Sequence, residues 1–121
     1  MSEPTELDGT WLPVLLEWQG RLGPAPKGAA VLHIASGEFV LKSGDHVWAS
    51  GLVRVDEAAC PRRVDFLQAL GPGQWAVQAG IYEVAADELR LRLGDGEIPP
   101  ERLDGEKGLG VYQRDRGEGR S

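Results

Sequence analysis

A chain of 121 residues is long enough for one domain with its own core, and 17 glycines with 8 prolines are too many for a helical bundle. The net charge of −6 argues against nucleic acid and against an anionic membrane surface as partners. Cys60 is the single cysteine and allows no internal disulfide, and no signal-peptide pattern precedes Leu7, so we expect a cytoplasmic protein.

The first predicted strand starts with a Gly-x-Trp entry at Trp11 and ends at a turn over residues 19–20. Strict alternation cannot place Trp11, Leu16 and Trp18 on one face. One extra residue beside Pro13 would correct the register, because a β-bulge shifts it by one and proline has no N–H to donate. Trp11 would then plug one end of a closed sheet. The alternative is an edge strand with both faces covered.

The rest of the chain alternates between short strands and turn signals. Residues 21–28 contain two prolines and two glycines and are predicted to form a loop over the mouth of the sheet. Further strands are predicted over residues 30–34, 38–42, 46–55, 64–68, 74–84, 89–93 and 109–114, with a long charged loop over residues 94–108. A single domain is expected over residues 7–114, with flexible ends at residues 1–6 and 115–121.

Eight short strands without a long amphipathic helix predict an all-β fold. A sandwich is one alternative, but consecutive hairpins without Greek-key crossovers fit an eight-stranded antiparallel up-and-down barrel better. The interior of such a barrel can be filled by side chains or can hold one small ligand.

Three motifs occur in an order that is typical of one family. They are Leu7-Asp8-Gly9-Thr10-Trp11, the hairpin from Gly37 to Asp45, and Gly80-Ile81-Tyr82-Glu83-Val84 followed by Asp87-Glu88-Leu89. Together they resemble an uncharacterised lipocalin-like domain family that is abundant in planctomycetes and present in other bacteria, over residues 7–114. The resemblance implies a lipocalin-like (calycin-type) barrel. Barrels of this type commonly bind small apolar molecules, and a few relatives of the architecture catalyse cyclisations.

The same resemblance implies a contact at the closed end. In lipocalin-like barrels a basic residue of the final strand often packs over the tryptophan of the first strand. Arg114 is the best candidate for this contact with Trp11, and Arg116 is the second.

Candidate catalytic groups are few. No Cys/His cluster has metal-ligand spacing and no glycine-rich loop precedes a helix, so we expect no metal and no cofactor. His46 could act as a general base that is oriented by the carboxylate of its neighbour Asp45. Successive strand residues point to opposite faces, so the two would cooperate only if the turn rotates one of them.

Aromatic side chains are the strongest indication of a binding site. A cavity could be lined by Trp18, Phe39, Phe66, Trp75, Tyr82 and Tyr112, with polar tips from Gln68 and the Tyr82 hydroxyl. The alternative is that these aromatics fill the core. The short side chains at Ala49 and Gly51 leave room on an inward face. The predicted ligand-binding residues are Trp18, Phe39, Phe66, Trp75, Tyr82 and Gly51.

Two function classes follow from this pattern. One is a module that binds a hydrophobic or amphipathic small molecule inside the barrel. The other is a cofactor-free, pericyclase-like cyclase or isomerase that confines an apolar biosynthetic intermediate in the same cavity, since confinement needs no catalytic motif. A filled barrel serving as an interaction domain is a third hypothesis. Trp48 and Leu52 on an outward face also predict a homodimer through the fourth strand.

Overall fold

The computed structural model describes residues 6–94, 96, 98–100, 102 and 108–115. Within these residues the chain forms nine strands and no helix, and therefore no helix that could cross a membrane. The strands are β1 (Gly9–Trp18), β2 (Arg21–Pro24), β3 (Val31–Ala35), β4 (Glu38–Ser43), β5 (His46–Asp56), β6 (Arg62–Gly71), β7 (Gln74–Ala85), β8 (Glu88–Leu93) and β9 (Leu109–Asp115). Most of the predicted flexible ends, residues 1–5 and 116–121, lie outside the described part of the chain.

The sheet closes on itself. Strands β3 to β9 pair with their sequence neighbours in antiparallel register, and β1 pairs with both β3 and β9. Strands β1 and β3 to β9 therefore form a closed eight-stranded up-and-down barrel, as the hairpin pattern predicts. The predicted all-β, lipocalin-like architecture is confirmed.

Strand β2 is an addition to the predicted barrel. The turn at Gln19 and Gly20 has φ values of 53° and 82°, and two positive values are what a two-residue type I′ hairpin requires. This turn directs the chain back along β1, with Arg21 opposite Trp18 and Pro24 opposite Leu15. The predicted loop over residues 21–28 is therefore wrong for its first four residues, because the turn geometry sets the pairing despite a proline and a glycine.

The bulge predicted in β1 is confirmed. Pro13 lies opposite Tyr112 and Leu15 lies opposite Val111, so Val14 is the extra residue. The shift places Leu16 on the same face of β1 as Trp11. The indole of Trp11 itself is fully buried, with 0% of its surface exposed.

Trp11 closes one end of the barrel and is held there by the chain around it. Its Nε1 donates a hydrogen bond to the Leu7 carbonyl at 2.9 Å. The Arg114 guanidinium lies 4.3 Å from the centre of the Trp11 ring and donates to the carbonyls of Asp8 at 2.6 Å and Glu6 at 2.9 Å. The predicted contact between Arg114 and Trp11 is confirmed, and its stacked, hydrogen-bonded geometry suits a planar guanidinium.

The half of the barrel next to Trp11 is packed with side chains. Leu7, Ile34 and Leu89 are at most 2% exposed, and Val53 and Val64 belong to the same apolar cluster. The turns between β3 and β4, between β5 and β6 and between β7 and β8 lie at this end, which we call the closed end. The opposite end, where β4 meets β5 and β6 meets β7, is called the open end.

Candidate functional site

A cavity of about 260 Å³ lies in the half of the barrel toward the open end. Its apolar wall comes from all the barrel strands between β3 and β8, with β9 adding Tyr112, and includes Leu32, Leu41, Ala49, Ala76, Leu91 and Leu93. This volume is just below the range of about 300–1,000 Å³ that is usual for small-molecule sites. The cavity therefore suits a compact ligand.

Small side chains on two strands create the space. Ala49 on β5 and Ala76 on β7 are lining residues, whereas the corresponding inward positions nearer the closed end are Val53 on β5 and Tyr82 on β7. Each of these two strands thus carries an alanine where it borders the cavity. A methyl group at these two positions fills less of the interior than the larger side chains do, and the cavity lies against both of them.

Three neutral polar side chains interrupt the apolar wall: Gln68, Gln78 and Tyr112. The Gln78 Nε2 donates to the Gly94 carbonyl at 2.8 Å and to the Ala79 carbonyl at 3.3 Å, which fixes its orientation. None of the described residues that line the cavity carries a charge. The site can therefore offer hydrogen bonds to a ligand without offering it a counter-ion.

The Tyr112 ring is positioned by a glycine. A Cβ at Gly110 would lie 2.8 Å from the ring, so only a residue without a side chain lets the ring lie along β9. Burial raises the pKa of the Tyr112 hydroxyl above its ordinary value, which keeps the phenol protonated. Tyr112 is therefore a neutral hydroxyl in the cavity wall.

Two of the predicted site residues lie in this wall. Phe39 on β4 and Phe66 on β6 contact each other edge to face, with ring centres 5.1 Å apart and planes at 76°. Both are largely buried. They form the part of the cavity wall that adjoins the packed half of the barrel.

The two predicted tryptophans lie outside the cavity. Trp18 is 76% exposed, because the hairpin to β2 carries the end of β1 beyond the region where β1 pairs with β9. Trp75 is 49% exposed and lies with Ser50 and Leu52 in a groove on the outside of the barrel, which we call the outer groove. The interpretation of both as interior aromatics is corrected. Trp18 lies beyond the part of β1 that pairs with β9, and Trp75 alternates with the inward residues Ala76 and Gln78 and therefore faces outward.

Gly51 also differs from its predicted role. A Cβ at Gly51 would overlap the Leu67 carbonyl oxygen of the neighbouring strand β6. The glycine therefore allows β5 and β6 to approach, and it does not open space inside the barrel. Gly51 adjoins the outer groove, and Ala49 is the small residue that lines the cavity.

Tyr82 lies in the packed half, 1% exposed, rather than in the cavity. Its hydroxyl is buried and has no hydrogen-bond partner among the described residues. Burial raises the pKa of Tyr82 well above its ordinary value, and the nearby Glu6 carboxylate adds to the effect. Tyr82 is thus a core residue whose hydroxyl lies near the Glu6 carboxylate without forming a close hydrogen bond to it.

Replacing Tyr82 by phenylalanine tests this placement. We expect Tyr82→Phe to leave the free energy of unfolding unchanged or to raise it by up to about 1 kcal/mol, because the buried hydroxyl makes no compensating hydrogen bond. Above pH of about 10 the unfolded chain ionises Tyr82 while the folded chain keeps it protonated, so the parent loses stability as the pH rises. Urea titrations at neutral pH and above pH of about 10 should show a shallower alkaline loss for Tyr82→Phe. A neutral-pH loss of more than about 1 kcal/mol would show that the hydroxyl is hydrogen-bonded.

Sequence reasoning missed one polar group of the site. Gln78 alternates with Gly80, Tyr82 and Val84 along β7 and therefore points inward. A glutamine at an inward strand position is the sequence signal that could have identified Gln78 as a polar group of the cavity wall. Leu91 and Leu93 were visible in the same way, as the apolar face of the most regular amphipathic strand.

Comparisons with protein-family models, with curated proteins and with solved structures found no match to this chain. The described residues also contain no group of three or more His, Cys, Asp or Glu side chains that could hold a metal ion. The cavity and its wall are therefore the candidate functional site among the described residues.

Proposed function

We propose that the barrel binds one hydrophobic or amphipathic small molecule in the cavity at its open end, as the resemblance to lipocalin-like domains also suggests. The observation that carries the proposal is the apolar space of about 260 Å³ above a fully packed layer. A barrel that served only as a stable scaffold would gain by filling this space, since interiors pack to the density of organic crystals.

The driving force is burial of apolar ligand surface. Each Å² removed from water contributes about 25 cal/mol before the costs of association are subtracted. Phe39, Phe66 and Leu91 offer apolar surface that is already ordered by the strands, so little conformational entropy is lost in the protein. Preorganisation of this kind favours binding of compact, rigid ligands.

The change Ala49→Leu tests the proposal by filling the cavity. With N-phenyl-1-naphthylamine as a neutral fluorescent probe, we expect the parent to enhance the emission of the probe and Ala49→Leu to reduce its affinity by about tenfold or more, because the new side chain occupies the same volume. Fluorescence titration of both proteins measures the difference. The matched control is Ala85→Leu, which adds the same atoms at an exposed position near the closed end and should bind the probe as the parent does.

The opposite results are equally definite. Equal binding by the parent and by Ala49→Leu would place the probe outside the cavity, with the outer groove as the next candidate. No binding by the parent would contradict the proposal directly.

The enzymatic alternative uses the same space. A cyclase that acts by confinement would need the walls of Phe39 and Phe66 to fold an apolar intermediate, and the protonated Tyr112 hydroxyl supplies a hydrogen-bond donor beside it. Candidate polyenes are incubated with the parent and with Ala49→Leu, and chromatography with mass spectrometry is used to look for products of unchanged mass. This experiment separates the two hypotheses. Isomerised product from the parent alone supports the enzyme.

A homodimer through the outer face of β5 stays a prediction. Trp48 is 60% exposed and is the extra residue of a bulge, with its Nε1 donating to the Ser43 Oγ at 3.1 Å and His46 packing against its ring at 4.4 Å. Leu52 is 43% exposed on the same strand. We expect sedimentation to show a dimer that Trp48→Glu dissociates. A parent that stays monomeric at high concentration would contradict the prediction.

A further inference from the structure

The polar groups of the cavity indicate which class of ligand it accepts. Gln68, Gln78 and Tyr112 are neutral at physiological pH, and no described lining residue is an acid or a base. From this distribution, and resting on the proposed function above, we infer that the cavity selects an uncharged ligand that has an apolar body and one hydrogen-bonding group such as an amide, hydroxyl or carbonyl. An ionised carboxylate or ammonium group is excluded.

The cost of burying a charge supports the selection. An ionised group taken from water into an apolar site without a counter-ion loses several kcal/mol of hydration, and hydrogen bonds from neutral groups recover only part of that loss. The charged residues of β6 lie on its closed-end half and are Arg62, Arg63 and Asp65. Arg62 forms an ion pair with Glu6, and Asp65 forms ion pairs with Arg54 and Arg63. They are therefore not available to a ligand at the open end.

Gln68 is the residue we assign to the polar group of the ligand. Its side chain lines the cavity on β6, and no hydrogen bond joins its amide to another described residue. Gln78, by contrast, uses its Nε2 on two carbonyls and leaves its Oε1 to accept. An amide that is half-buried and not used by the fold offers both a donor and an acceptor to a guest.

The register places the two glutamines together. Gln68 lies opposite Ala76 and Gln78 lies opposite Phe66, so the glutamines are diagonal neighbours on one face of the β6–β7 pair. Diagonal cross-strand neighbours are about 7–8 Å apart at their Cα atoms, which is within reach of two long side chains that share one ligand group. Tyr112, two strands from β7 on β9, adds a hydroxyl to the cavity wall.

Three probes with one body test the inference: 4-propylbenzamide, 4-propylbenzoate and propylbenzene. The first two differ in charge but have nearly the same shape, and the third lacks the polar group. We expect the amide to bind at pH 8 and to shift the side-chain amide resonances of Gln68 in ¹H–¹⁵N spectra. The benzoate, which is fully ionised at this pH, should bind at least about tenfold more weakly.

The change Gln68→Leu separates recognition from shape, because leucine keeps most of the volume and removes the amide. We expect it to weaken binding of 4-propylbenzamide by about tenfold and to leave binding of propylbenzene unchanged. Tyr112→Phe is the second variant should Gln68→Leu fail to fold, and it should discriminate between the two probes in the same direction.

The outcomes distinguish this inference from the proposed function. If the benzoate binds as tightly as the amide, or if Gln68→Leu weakens the amide and propylbenzene equally, the selection is overturned and the cavity remains a binding site. If none of the three probes shifts the Ala49 or Leu91 methyl resonances, the proposed function itself fails and the inference fails with it.

Discussion

Trp11→Ala is expected to lower the free energy of unfolding by about 3–5 kcal/mol, the usual range for a large buried aromatic side chain. The indole is 0% exposed, and it donates through Nε1 to the Leu7 carbonyl and packs under the Arg114 guanidinium. Its removal leaves a cavity at the closed end and frees the Arg114 side chain from its stacking partner. Urea titration followed by far-UV circular dichroism measures the change.

Trp18→Ala is the matched control because it removes the same side chain from the same strand. Trp18 is 76% exposed, so its loss should change the free energy of unfolding by no more than about 0.5 kcal/mol. A loss that small for Trp11→Ala as well would show that the first tryptophan does not close the barrel.

Gly51→Ala is expected to destabilise the fold by about 3 kcal/mol or more, although it adds a single methyl group. The added Cβ would overlap the Leu67 carbonyl oxygen, which is rigid backbone of the neighbouring strand β6. Relief of the overlap requires β5 and β6 to separate where Gly51 pairs with Gln68. Thermal unfolding of the parent and the variant checks the loss.

Gly23→Ala, on strand β2, provides the control. A Cβ at Gly23 meets nothing within 4 Å. That change should therefore be neutral, or stabilising by up to about 1 kcal/mol through the unfolded chain. A Gly51→Ala variant as stable as Gly23→Ala would mean that β5 and β6 are farther apart than described. It would also restore Gly51 as a position that leaves room inside the barrel.

The barrel was predictable from local signals. Tight turns after short strands define consecutive hairpins, and consecutive hairpins close into an up-and-down barrel. Pro13 together with the spacing of Trp11 and Leu16 predicted the bulge, since one extra residue is needed to put both on the same face. The resemblance to lipocalin-like domains predicted the contact of Arg114 with Trp11.

The position of each aromatic along the barrel axis was not predictable in the same way. Alternation assigns a residue to a face of the sheet but not to a depth along the barrel axis. The sequence pattern therefore predicts the same position for Phe66 and Tyr82, although Phe66 lines the cavity and Tyr82 lies in the packed half. Depth depends on the stagger between strands, which long-range pairing sets. Trp18 lies at a strand end beyond the closed part of the sheet, and Trp75 lies on the face of β7 opposite to Tyr82.

Glycine and alanine on one strand were also indistinguishable by pattern. The sequence pattern predicts that Ala49 and Gly51 both leave empty space on the inward face of β5. The structure separates them through their neighbours, because Ala49 borders the cavity and Gly51 borders the backbone of β6. Sequence does not contain the distance between two strands, so this difference needed the three-dimensional arrangement.

The central claim is that the open-end half of the barrel encloses an apolar space that takes a small guest. Crystals of the parent held under xenon gas test it most directly, because xenon occupies apolar cavities without requiring a specific ligand. We predict a xenon atom among Phe39, Phe66 and Leu91, and no xenon at that position in Ala49→Leu. Electron density showing side chains of the parent filling that space, with xenon absent, would contradict the account.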